Sequence, residues 1–165
     1  MISTRQATIK DLPFITEIYN EAILNTTATF DTEIKTIEDR TQWFNNRDEN
    51  FPIIVAEQNG KIAGYAALNK WSERKAYDIT AEISIYVHST FRGKGIGKLL
   101  VQSIVAIGGQ TKLHSLIARI SEGNQHSIYL HEVNGFSHVG VFKEVGKKFG
   151  KLLDVTIMQK VYSAK

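Results

Sequence analysis

The sequence predicts an α/β domain built on one mixed sheet flanked by helices, and three observations predict it. Glu82 to His88 alternates apolar Ile83, Ile85 and Val87 with Glu82, Ser84, Tyr86 and His88, the period of a half-buried strand. That strand hands over through Ser89-Thr90-Phe91 to Arg92-Gly93-Lys94-Gly95-Ile96-Gly97-Lys98-Leu99-Leu100, which opens a helix. Asn59-Gly60, set between two apolar runs, is the strongest short hairpin signal in the chain. Around these pieces, segments of helical and strand period follow one another, so helices are available to cover the sheet.

Taken in order, Ile2 to Thr8 alternates as a first strand. Asp11 then stands as N-cap with Pro13 just inside a helix whose buried face carries Phe14, Ile15, Ile18, Tyr19, Ala22 and Ile23. Asn25 to Lys35 is rich in threonine and breaks the period, which makes it a loop; Phe30 within it has no helical partner to pack on. A second helix begins at Thr36, paired with Asp39 as in a capping box, and continues through Trp43 and Phe44. Pro52 to Glu57 and Lys61 to Leu68 are the antiparallel strands of the Asn59-Gly60 hairpin. The loop Trp71 to Asp78 leads into the strand carrying Glu82, and the helix opened by Gly95 ends at Gly108-Gly109. His114 to Ile120 is the next strand, Asn124 to Val133 a helix stopped by Asn134-Gly135, Phe136 to Glu144 a strand, and Leu152 to Val161 the last strand.

A chain of 165 residues with 42% hydrophobic content fits one domain, spanning 1–165, with a sizeable core. Having no cysteine, it can hold neither a disulfide framework, nor a thiolate metal site, nor a cysteine nucleophile. No metal is expected. No apolar run is long enough to cross a bilayer and no charged-then-apolar leader precedes the domain, so the expected location is cytoplasmic with no membrane partner. The net charge of +3 is mild and scattered, unlike the concentrated basic face of a nucleic-acid binder. Lys143, Lys147, Lys148 and Lys151 read as a solvated loop, with a secondary reading in which they attract an anionic cofactor.

Glycines where a strand passes into a helix let successive N–H groups converge on an anion, and the positive end of the helix dipole adds to the pull. The same glycines could serve only the positive φ of the turn. A P-loop is excluded because Gly97-Lys98 is followed by Leu99, and the dinucleotide fingerprint because Leu100 stands where its third glycine would be. What remains is Arg-x-x-Gly-x-Gly, Arg92 to Gly97, directly after a strand. This resembles the coenzyme A pyrophosphate loop of the GNAT superfamily of N-acetyltransferases. Tyr19-Asn20-Glu21-Ala22, Ala28-Thr29-Phe30-Asp31-Thr32, and Trp71 with Arg74, Ala76-Tyr77-Asp78 and Glu82 resemble, in order, the phosphinothricin and methionine sulfoximine acetyltransferase branch.

The resemblance implies a mostly antiparallel, twisted sheet whose central strands splay to form an acetyl-CoA cleft. It implies acetyl-CoA as co-substrate, with the pyrophosphate held by Arg92, Gly93, Lys94, Gly95, Ile96, Gly97 and Lys98. The backbone near Tyr86 and Val87 would meet the thioester oxygen, and Asn124 and Ser127 would meet the pantetheine arm. An ammonium has no lone pair with which to attack a thioester, so a base is needed, and Glu82 matches the family's glutamate by position. Its alternative is a strand glutamate facing solvent. His131 stands where many members carry a tyrosine acid; it could protonate the leaving thiolate or simply pack beside the cofactor. Asn124 could cap its helix as well as touch the cofactor.

For a zwitterionic acceptor bearing a further oxyanion, Arg74 supplies a cation, Tyr77 a hydrogen-bonding ring and Phe30 a wall. Arg74 could equally be a surface arginine. This chain has Lys151-Leu152-Leu153-Asp154 where the branch often carries tryptophan or histidine before the aspartate, and Ser72 where some members carry lysine. The expected activity is acetyl transfer to the amino group of a small molecule of the phosphinothricin, methionine sulfoximine or methionine sulfone class. Acetylation of a peptide or protein amine is the second reading, and a coenzyme A-binding module without catalysis the third. The resemblance also implies a homodimer.

Overall fold

A computed structural model of the chain describes residues 1–163. Seven strands form one sheet in the order β1-β2-β3-β4-β5-β7-β6, with β1 Ile2–Gln6, β2 Ile53–Gln58, β3 Lys61–Lys70, β4 Thr80–Val87, β5 Ser115–Ser121, β6 Ser137–Lys148 and β7 Lys151–Val161. Every neighbouring pair is antiparallel except β4 and β5. The helices are α1 Leu12–Asn25, α2 Ile37–Asn45, α3 Ile96–Gly108 and α4 Gln125–Glu132. No described helix is long and apolar enough to cross a membrane.

Both faces of the central strands are buried, which is why their apolar runs are nearly continuous. On one face Leu100, Val101 and Ile104 of α3, with Leu130 of α4, pack on Ile54, Ala66, Leu68, Ile83 and Leu116. On the other, Ile15, Ile18, Tyr19 and Ile23 of α1 pack on Ile53, Val55, Tyr65 and Ala67, with Trp43 and Phe44 of α2 at the margin. Each fully buried Leu or Ile side chain contributes roughly 1.5–3 kcal/mol.

Local signals set most boundaries. Asn59 and Gly60 turn the β2–β3 hairpin with φ of 52° and 74°. Thr36 and Asp39 form a reciprocal cap at the start of α2. Asp11 precedes α1 but does not cap it with its side chain: its carboxylate accepts from the Thr8 N–H at 2.7 Å and pairs with Arg5 at 2.8 Å.

The expectation for the Lys143–Lys151 stretch needs correcting. Instead of a solvated loop, it belongs to a second hairpin, in which β6 runs to Lys148 and β7 starts at Lys151. Glu144 adopts φ of 49° and the register skips between Phe142 and Gly146, so the ladder resumes after a bulge that hides the alternation. The turn is Phe149-Gly150, with φ of 52° and 72°; phenylalanine is a rare occupant of a left-handed position, so the sequence carried no turn signal. Lys148 is 5% exposed, and its ammonium donates to the carbonyls of Thr26 at 2.7 Å and Thr29 at 2.8 Å.

Candidate active site

β4 and β5 are paired only from Thr80↔Ser115 to Glu82↔Ile117, although both strands continue. Beyond Glu82 they part, and the opening leads into a cleft of about 990 Å³ lined from all sides by β4, β5, the 27–35 loop, α2 and α4. Side chains alternate on β4, so Ile83 enters the core beneath α3 while Glu82, Ser84 and Tyr86 lie on the α1/α2 face.

At the point of separation Glu82 is gripped by Arg119 of β5. Arg119 Nη2 donates to Glu82 Oε1 at 2.8 Å and Nε to Oε2, a two-pronged pair in which the Glu82 side chain is 19% exposed. The Arg119 guanidinium lies 5.5 Å from the Trp71 ring centre. Its proximity to the Glu82 carboxylate raises the Arg119 pKa. Sequence reasoning missed Arg119. Its signal was a lone cation in the apolar run Leu116 to Ile120, on the face opposite buried Ala118 and Ile120.

At the other end of β4 the glycine turn delivers α3. Gly93 and Gly95 have φ of 74° and 82°, and space within 4 Å of where a Cβ would stand is open at both. No side chain caps α3, so the N–H groups of its first turn are left for an external acceptor. Ile96 is 1% exposed, so only its backbone faces outward, whereas Lys94 and Lys98 are exposed. Arg92 bonds the Val87 carbonyl through Nε at 3.3 Å and approaches Glu21 at 3.4 Å. Glu21, also missed from sequence, accepts from the Ser89 N–H at 2.8 Å and Oγ at 3.0 Å, fastening α1 to this turn. A smaller hollow of about 490 Å³ runs from Arg92 past Val87 and Tyr86 to Asn124. An uncapped helix start, an open glycine turn and a continuous groove suit the diphosphate and arm of a coenzyme.

On α4, Asn124 accepts from the Ser127 N–H at 3.2 Å and so caps the helix. Buried His131 has Nδ1 2.7 Å from the Ser127 carbonyl, which can only accept, so Nδ1 carries a proton. Nε2 is buried without a partner. Burial lowers the His131 pKa below 6.5, with the Ser127 bond opposing it. The neutral ring therefore offers Nε2 as an acceptor, and an acid role would first require a proton there.

The opposite wall is aromatic. Tyr19 donates to Asp31 and lies 3.1 Å from Thr29 Oγ1, and burial pushes its pKa up to about 12. Tyr65 and Tyr86 stack with ring centres 5.4 Å apart, and burial raises both of their pKa values. Arg40, 7% exposed, is held between rings, 3.8 Å from Trp43 and 4.4 Å from Tyr19, and donates to Tyr65 at 3.0 Å. Trp43 and Arg47 both bond Asn69 Oδ1, and Asn69 donates to Ser84 at 3.0 Å, linking α2 to the strand of Glu82.

Phe30, 39% exposed, lines the cleft and rests against Gly146 of β6. Glu82, Tyr86, Asn124, Ser127, His131 and Phe30 are thus brought to one cleft. Arg74 and Tyr77 are not among its lining residues; Arg74 precedes, and Tyr77 ends, an exposed single turn, Lys75–Tyr77. Among the described residues no cluster of histidine and carboxylate side chains could hold a metal ion.

The family model described as "Acetyltransferase (GNAT) family" matches residues 15–136. The chain is 40% identical over 159 residues to the L-methionine sulfoximine/L-methionine sulfone acetyltransferase of Pseudomonas aeruginosa, covering 95% of this chain and 92% of that protein. A ribosomal-protein-alanine N-acetyltransferase from Brucella melitensis is similar in structure, with a TM-score of 0.93 and 40% identity, covering 97% of this chain and 99% of that one. A phosphinothricin acetyltransferase of the GNAT superfamily from Sinorhizobium meliloti, solved in complex with AcCoA, gives a TM-score of 0.92 and 35% identity, covering 97% of this chain and 88% of the other.

Proposed function

The chain belongs to the acetyltransferase (GNAT) family, and we propose that it moves the acetyl group of acetyl-CoA to the amino group of a small amino-acid-like acceptor. The acceptor class is that of phosphinothricin, methionine sulfoximine and methionine sulfone. The observation that carries this reading is the alignment along β4 of a carboxylate, Glu82, where the strands part, with an open glycine turn and an uncapped helix at the strand's far end.

In this reading the backbone from Arg92 to Lys98 holds the diphosphate, and Asn124 and Ser127 meet the pantetheine arm. Backbone N–H groups near Tyr86 and Val87 face the thioester oxygen, where charge develops. The coenzyme supplies an activated acetyl thioester. Glu82 takes one proton from the acceptor's ammonium, directly or through a water. The freed nitrogen bonds the acetyl carbon, the carbon–sulfur bond breaks, and the sulfur departs with the electron pair. The nitrogen then loses its second proton, and the sulfur gains one. The sum is acetyl-CoA plus ammonium giving amide, free coenzyme and one released proton. His131 borders the cofactor and Phe30 walls the acceptor. Arg74 and Tyr77 are assigned to the acceptor on the strength of the sequence resemblance, with Arg74 suited to a carboxylate or a phosphinate.

A homodimer completes the reading. β6 is an edge strand whose Val139, Val141, Phe142 and Val145 are 50–62% exposed; Phe142 and Val145 line the cleft, and an edge carrying this much exposed apolar surface is suited to cover by a second copy. The test of activity is thiol release with phosphinothricin, methionine sulfoximine and methionine sulfone as acceptors. Turnover with at least one is expected, and none with all three overturns the acceptor class. Peptide acetylation, the alternative, predicts turnover on peptides with a free N-terminus instead.

A further inference from the structure

The Glu82–Arg119 pair stands where a base should be free, and its geometry resolves that conflict. A carboxylate with both oxygens held by one guanidinium is a poor base for an arriving ammonium, because its charge is already shared with a cation that also repels the newcomer. Opening the pair restores the basicity of the carboxylate and frees the guanidinium for another anion. The pair is also placed like a binding device: it spans the two strands at the last rung of their ladder and lines the cleft. Arg119 is itself accessible, with 54% of its side chain exposed, and its bonds to Glu82 use Nε and Nη2, leaving Nη1 with no acceptor among the described residues.

We propose that Arg119 binds the α-carboxylate of the acceptor, and that its fork on Glu82 is a place-holder which a zwitterionic amino acid displaces. This rests on the N-acetyltransferase reading above and names the part of the acceptor that the site requires. An α-amino acid carries an ammonium and a carboxylate on one carbon. Inserted between the two side chains, it gives its ammonium to Glu82 and its carboxylate to the guanidinium, so each charge of the opened pair finds a new partner. Trp71 beside the guanidinium gives it a surface to slide on as it turns from one carboxylate to the other. An amine without a carboxylate opens the same pair but leaves Arg119 unpartnered, so it binds poorly. Arg119 is thus a specificity residue that selects α-amino acids by a charge exchange, which leaves Arg74 and Tyr77 for the far end of the acceptor.

The experiment compares methionine sulfone with its carboxylate-free amine, 3-(methylsulfonyl)propylamine, as acceptors for the wild-type protein, Arg119→Gln and Arg119→Lys. The wild type should favour the amino acid by about 100-fold or more in kcat/KM, the order expected when a charge-paired partner is lost. Arg119→Gln should raise KM for the amino acid about tenfold or more and leave KM for the amine within about threefold, with Arg119→Lys between. Wild-type enzyme that turns over both acceptors equally well overturns the proposal without recourse to any variant. So do variants whose two KM values move together. No thiol release by the wild type with any acceptor is a different failure, that of the N-acetyltransferase reading itself.

Discussion

Phe30 on the loop after α1 and Gly146 on β6 are in such contact that a methyl group added to the glycine would overlap the ring. The same loop is tied to β6 by the buried Lys148 ammonium, which holds the carbonyls of Thr26 and Thr29. The β6–β7 hairpin therefore fixes one wall of the acceptor half of the cleft. Gly146→Ala must push the ring away, and we expect KM for the amino-acid acceptor to rise about 3- to 30-fold while KM for acetyl-CoA stays unchanged. Steady-state kinetics with each substrate varied in turn checks this; equal changes in both would point to a general loosening.

Glu82→Gln keeps shape and removes the proton acceptor. Below the acceptor's own amine pKa most of the substrate is ammonium and needs a base, so kcat/KM should fall by about 10²- to 10⁴-fold. Above it the amine is already neutral, and the two rates should converge. A pH–rate profile of thiol release reads the difference directly, and parallel profiles would remove Glu82 from the base role.

The pieces legible in the sequence were those whose signal is local. The Asn59-Gly60 turn, the Thr36–Asp39 cap and the strand leading into the glycine turn each write their geometry into neighbouring residues. The second hairpin was hidden because its turn uses Phe149 where asparagine is usual and its strand bulges at Glu144. Arg119 and Arg40 were hidden for a different reason. Arg119 meets Glu82 across 37 residues and Arg40 meets Tyr65 across 25, and no local pattern announces a contact made only when distant strands and helices come together. Lys148 went unread as a buried group because a lysine in a basic run resembles a solvated one until its carbonyl partners are known.

Gly95 opens α3 in a left-handed conformation at φ of 82°, so an alanine there is strained even though its Cβ has room. Gly95→Ala should cost about 1–2 kcal/mol of stability from the backbone alone. It should also weaken acetyl-CoA binding, because the N–H groups of the turn no longer converge as they did. Thermal unfolding gives the first number and calorimetric titration with the coenzyme the second. Intact affinity in a destabilised variant would separate the turn from the binding function.

Val141 is 50% exposed on β6, the edge strand proposed to meet a second copy. Val141→Glu places a charge that a dimer would have to bury, which is unfavourable unless paired. Sedimentation velocity should show the wild type as a dimer and the variant shifted to monomer at micromolar concentration. A wild type that sediments as a monomer throughout the range rules the dimer out.

His131 links acidity to stability. Its pKa in the folded chain lies below the ordinary 6.5 because burial penalises the imidazolium, and the unfolded chain has no such penalty. Between the two values the unfolded state binds more protons than the folded one, so stability falls as pH falls through that window. The neutral ring contributes fully above about pH 6.5 and progressively less below it, with a slope of at most about 1.4 kcal/mol per pH unit. Asp11, Asp39 and Asp154, all held low by their partners, lose their contributions at more acid pH and so do not confuse this window. Urea unfolding at pH 7.0, 6.0 and 5.0 should show the wild type losing stability over this range and His131→Gln losing less. Identical slopes in the two proteins would mean that His131 Nε2 finds in the folded state a partner for its proton, which would restore the imidazolium as a candidate acid for the departing thiolate.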